Sequence, residues 1–151
     1  MTIPELRQLG AAIGAASGPV GAFGQAWSGI GDGRPHVGVL FTLVGALVGA
    51  LTLPLFLARP AAADGDVDVA EVQATRVGPG FGALFGFAVG VVAGAFAAFP
   101  MGAIMGSLGG AVGGAIGMLV WNRLARWRFR ALTTAVCATG AAFLTIWAWL
   151  P

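Results

Sequence analysis

The sequence predicts an all-α integral membrane protein, a close-packed bundle of five (alternatively four) transmembrane helices that includes one glycine-rich helical hairpin. Three observations carry this. Hydrophobic residues make up 58% of the 151 residues and charged residues only 9%, with a mean hydropathy of +0.88, whereas soluble domains carry about 25% charged residues. Long apolar runs recur along the chain, and 26 glycines accompany them without a G-X-Y period, which excludes collagen. All eight basic residues are arginine, so the sequence pI near 10.0 rests on a net charge of +2, and no nucleic acid partner is expected.

A helix needs about 20 apolar residues to cross about 30 Å of hydrocarbon, and on that rule residues 1–151 divide as a single membrane domain. The first span, about 9–30, carries Ser17, Pro19, Gln25 and Ser28 among its glycines; a re-entrant helix surrounded by protein is its alternative. Thr2 and Glu5 have the spacing of a capping box, which starts that helix near Ile3. Glu5 precedes Arg7 and no cleavage pattern follows, so the N-terminus is expected to remain on the mature chain. Spans two and five, about 37–58 and 131–150, contain no charge. The apolar stretch from Phe81 to Val120 is about twice the length of one span, so it must reverse. Proline disfavours helix in the residue before it, which puts the turn at Phe99-Pro100-Met101-Gly102 and the two helices at about 79–98 and 101–121. The stretch 59–77 is a polar linker with four of the six acidic residues.

Charge placement orients the bundle. With five spans, Arg7, Arg59, Arg76, Arg123, Arg126, Arg128 and Arg130 fall on one side and Arg34 alone on the other. Arginine-rich ends stay cytoplasmic, so the N-terminus and the 59–77 linker are expected in the cytoplasm and the C-terminus outside, in a cellular or viral-envelope membrane. Trp121 and Trp127 then bracket the cytoplasmic end of span four, and Trp147 and Trp149 the external end of span five, where amphipathic rings prefer the boundary.

The sharpest pattern is a ladder of small residues four apart: Gly78, Gly82, Gly86, Gly90, Gly94, Ala98, Gly102, Gly106, Gly110 and Gly114. A second row, Gly109, Gly113 and Gly117, lies beside it, and Gly10, Gly14, Gly18 and Gly45, Gly49 repeat the theme. Glycine costs about 1 kcal/mol against alanine within a helix, so its repetition on one face signals close backbone packing. The arrangement resembles the glycine zipper of several membrane-protein families. That resemblance implies a packing mode in which Gly82, Gly86, Gly90, Gly94, Gly102, Gly106, Gly110 and Gly114 are the contact residues, either within the chain or between chains.

Chemistry is sparse. Predicted spans lack the interior ionisable groups that mark proton relays and coupled transport, including the carboxylate that a rotor ring of the ATP synthase type requires. Asp64, Asp66 and Asp68 open like a calcium loop, but Val69 stands where glycine is needed and Thr75 where bidentate glutamate is needed. His36 and Cys137 have no partner ligands or base in the sequence pattern. No cofactor, metal or catalytic residue is assigned. The segment WNRLARWRFR places Arg123, Arg126, Arg128 and Arg130 with Trp121 and Trp127 at a boundary, for anionic lipid headgroups or for docking a partner. The expected function is therefore a non-catalytic structural or accessory subunit that packs through glycine-rich faces against other membrane subunits or copies of itself in the lipid bilayer. The alternative is a homo-oligomeric pore, similar to phage holins or viral conduits, with Ser17, Gln25, Ser107, Thr133 or Thr139 wetting its lumen.

Overall fold

The computed structural model describes residues 3–21, 35–57, 78–98 and 101–148. They form five helices, α1 (Ile3–Gly14), α2 (Pro35–Leu57), α3 (Pro79–Ala98), α4 (Met101–Arg123) and α5 (Arg130–Ala148). No strand occurs among the described residues, and α2 to α5 are each long and apolar enough to cross a membrane. Thr2, Gln25, Ser28, Arg34, the 59–77 linker, Phe99, Pro100 and Trp149 lie outside the described residues.

The first segment differs most from expectation. Its helix starts at Ile3, stops at Gly14 and resumes for a short turn at 17–21 after a break at 15–16. Pro19 explains the break: it has no amide to bond the Ala15 carbonyl, and its ring crowds that group. The amides of Ala16 and Gly18 instead bond three residues back, to Ile13 and Ala15, at 3.1 Å each. This least apolar segment is also the most deeply enclosed, since Leu6 and Leu9 are fully buried and α1 touches every other helix. A broken helix bearing Ser17 is tolerated where protein surrounds it.

Contacts between glycines fix how the helices run. On α3 and α4, Gly82 meets Gly114, Gly86 meets Gly110, Gly90 meets Gly106 and Gly94 meets Gly102. Each step of four along α3 is matched by four back along α4, which is the register of an antiparallel pair. The contact persists over 12 residues of α3, about 18 Å. At the crossing angle of about 40° common for small-residue pairs, helix ends 9 Å from the crossing point would diverge by about 6 Å. The two axes are therefore close to antiparallel. On α1 and α2 the same register recurs, with Gly10 against Gly49 and Gly14 against Gly45, and with Gly18 beside Thr42 and Gly38. The second row of α4 faces α5: Gly109 lies against Ile146, Gly113 against Ala138 and Ala142, and Gly117 against Ala138 and Thr134. Ile13 and Ala16 of the first segment reach Gly117 and Gly113, and Val20 reaches Gly106. The five segments thus alternate up and down, with α1, α3 and α5 parallel.

Larger side chains fill the remaining space at one level. Leu9 and Ile13 from α1, Leu53 from α2, Phe85 from α3, and Met118 and Trp121 from α4 form a buried cluster, with Ala131 of α5 packed against it. Helices α2 and α3 scarcely touch each other.

Substitutions at paired and unpaired glycines should separate cleanly. A Cβ at Gly90 overlaps the Gly106 carbonyl and one at Gly110 overlaps that of Gly86, whereas one at Gly140 meets nothing within 4 Å. Gly90→Leu or Gly110→Leu should destabilise by at least about 3 kcal/mol, beyond ordinary overpacking, while Gly140→Ala should stabilise by up to about 1 kcal/mol. Thermal unfolding in detergent checks both; neutral effects at Gly90 and Gly110 would remove the packing argument.

Candidate functional site

Two surfaces stand out, a basic elbow at one end of the bundle and an apolar groove along its side. The elbow spans residues 124–129 between α4 and α5 and is built from consecutive tight turns. The Leu124 amide donates to the Val120 carbonyl, that of Trp127 to Leu124, and that of Arg130 to Trp127, at 2.9, 3.0 and 3.1 Å. These bonds form the turns that join α4 to α5.

The structure divides the four arginines. Arg130 turns inward: its Nη2 donates to Glu5 Oε1 at 3.1 Å, its Nη1 donates to the Ala125 carbonyl at 3.2 Å, and its guanidinium lies 3.7 Å from the centroid of the Trp121 ring. One side chain therefore joins the start of α1, the elbow and the end of α4. Arg123, Arg126 and Arg128 are exposed, beside exposed Trp127 and Phe129. Trp121 departs from the boundary role expected of it, because at 1% exposure it belongs to the core cluster. Its ring roofs that cluster and presents a π face to Arg130, which favours burial of a partly desolvated cation. The Glu5–Arg130 pair spans 125 residues of sequence, and no local pattern signals it.

The groove separates α2, which packs on α1, from α3, which packs on α4. It has a volume of about 670 Å³ and is lined by Leu40, Val44, Val48, Leu84, Val92 and Phe96 among others, with Ser17 at its floor. From Phe81 to Phe96 it follows α3 for about 22 Å. Its two hydroxyl groups are turned away from any occupant. Ser17 Oγ donates to the Phe41 carbonyl and Thr52 Oγ1 to the Val48 carbonyl, each at 2.8 Å. What remains is a hydrocarbon surface, and α2 continues it outward with Leu43, Leu47, Leu51 and Leu55, the last 79% exposed.

The glycines Gly82, Gly86, Gly90, Gly94, Gly102, Gly106, Gly110 and Gly114 lie between α3 and α4 rather than on this outer surface. Phe85 and Met118 are buried, whereas Phe87 and Phe96 are exposed. Of the hydroxyls considered for a lumen, Ser107 bonds the Ile104 carbonyl at 2.7 Å and Thr133 the Phe129 carbonyl at 3.2 Å. His36 is exposed at the start of α2 and Cys137 is half-buried on α5. Among the described residues no three His, Cys, Asp or Glu side chains assemble to hold a metal ion.

Among the described residues one buried side-chain polar atom is unsatisfied. Thr134 Oγ1 is enclosed without a hydrogen-bond partner, although Thr42, Thr52, Thr133 and Thr145 each bond the carbonyl four residues back. An orphaned hydroxyl costs about 1–3 kcal/mol, so Thr134→Val should raise stability by about 1 kcal/mol. Arg130→Met removes a charged hydrogen bond and a cation–π contact and should lower stability by about 1–3 kcal/mol. In a double-mutant cycle with Glu5→Gln the two losses should not add; unfolding in detergent measures all three. Comparison with protein-family models, with curated proteins and with solved structures returns no match.

Proposed function

We propose that this chain is a non-catalytic structural or accessory subunit of a larger membrane assembly, whose glycine rows act as zippers within its own bundle. The proposal moves the docking surface. Glycine faces are occupied internally, so the surface offered to another subunit is the groove between α2 and α3 and the aliphatic face of α2 beside it. The single observation that carries this reading is the groove, about 670 Å³ of carbon-lined space open along one side. Helix packing in a bilayer depends on close contact rather than on escape from water, and an apolar groove along the side of the bundle offers a surface for such contact.

Orientation follows from charge. Antiparallel alternation brings Arg7, Arg123, Arg126, Arg128 and Arg130 to one end, and Glu5 is the one acidic residue among the described residues. The positive-inside rule makes that end cytoplasmic, with the N-terminus inside and the C-terminus outside. A homo-oligomeric conduit draws less support, because three of the four candidate lumen hydroxyls, Ser17, Ser107 and Thr133, donate to backbone carbonyls of their own chain.

Photo-cross-linking in native membranes tests the proposal. A photoreactive residue at Leu47 or Leu84 should capture another polypeptide, and one at Leu144, exposed on α5, should not. Capture of lipid alone at Leu47 and Leu84 would sink the accessory reading, and a ring of identical copies would favour the conduit. Reporters fused after Pro151 should report an external C-terminus.

A further inference from the structure

We infer that the elbow between α4 and α5 is a binding surface for an anionic phospholipid, held through its phosphate by Arg123, Arg126 and Arg128. The inference rests on the membrane reading above and goes beyond it, since it assigns a ligand class to a particular surface. Three features of the elbow carry it. The first is charge: the one described carboxylate, Glu5, is engaged by Arg130 at 3.1 Å, and the other three arginines are exposed. A cluster of three exposed guanidinium groups within six residues attracts an anion, and the planar guanidinium fork matches phosphate oxygens two at a time.

The second feature is the pair of aromatic residues set among them. Trp127 is 52% exposed and Phe129 58% exposed, an arrangement that water does not reward but the headgroup boundary does, where rings sit among the upper acyl carbons. The third is height. The elbow caps two helices that are each long and apolar enough to cross a membrane, so it lies at the level of the phosphates on its side. An acidic soluble protein would satisfy the charge but would leave the two rings without an apolar partner. A lipid satisfies both, with its phosphate on the arginines and its chains beside Trp127 and Phe129.

Arg130 makes the surface stiff. Through Glu5, Trp121 and the Ala125 carbonyl it anchors the elbow, which carries Arg126 and Arg128 beside Arg123 at the end of α4.

The test uses the full-length chain purified in a mild zwitterionic detergent. Native mass spectrometry against phosphatidylglycerol and phosphatidylcholine should show phosphatidylglycerol retained at least fivefold more often. Arg123→Gln, Arg126→Gln and Arg128→Gln combined should abolish that preference while the melting temperature without lipid stays unchanged. Conversion of the same three to lysine should retain only part of it. Equal retention of the two lipids, or an undiminished preference in the glutamine variant, would overturn the inference, as would displacement of the lipid by millimolar inorganic phosphate. Failure of the membrane reading is a separate result: the chain would leave the membrane fraction on alkaline carbonate washing. Failure of the lipid inference leaves the chain embedded and without headgroup preference.

Discussion

The absence of a Cβ at a dozen positions is the constraint on which the remaining structure depends. Between apolar helices in a bilayer there is no water to expel, so association relies on dispersion contact and on how near the backbones come. The glycine pairs of α3 with α4 and of α1 with α2 allow carbonyl groups to sit where side chains would otherwise stand. Once these two hairpins are closed, α4 turns its second glycine row to α5 and to the first segment, and the buried cluster around Met118 and Trp121 fills what is left. Every later feature, including the elbow and the groove, is located by these approaches.

Cohesion is unequal across the bundle. Helices α3, α4 and α5 form one continuous block, whereas α2 is held almost wholly by α1. The first segment is therefore the joint between two parts. Its fixings differ along its length: Glu5 binds Arg130 at one end, Leu9 and Ile13 enter the cluster, and Ser17 bonds the Phe41 carbonyl. A joint of close glycine contacts, buried aliphatic side chains and one ion pair suits a helix too short and too polar to face lipid over its whole surface.

The fold class was largely legible in the sequence, and the surfaces were not. Apolar runs bounded at about 37–58, 79–121 and 131–150 leave few choices for four long helices, and the expected reversal before Met101 follows from Pro100. The four-residue glycine period shows that a face exists but is silent on which helix opposes it, because a zipper between chains has the same sequence as one within a chain. Hydropathy likewise cannot tell lipid from protein as a neighbour, so Phe85 and Phe87, two residues apart on α3, end in opposite surroundings. Trp121 and Trp127 present the same problem in an aromatic pair: one roofs the core and the other is exposed, and only the position of Arg130 separates them. The groove has no sequence signature, since it arises from the separation of α2 and α3 rather than from any residue.

A seam that repeats every four residues carries an ambiguity of its own. Sliding α3 past α4 by one notch would again set glycine opposite glycine, as with Gly86 and Gly114 or Gly90 and Gly110, so the glycines alone do not choose between alignments. What distinguishes them is the point of reversal. A notch in one direction moves that point two residues towards the C-terminus, and a notch in the other would unwind residues 95–97, now helical. Pro100, lacking an amide and restricting the residue before it, suits a reversal between Ala98 and Met101, where α3 ends and α4 begins. In this hairpin the glycines supply the teeth, and the point of reversal sets the phase at which they mesh.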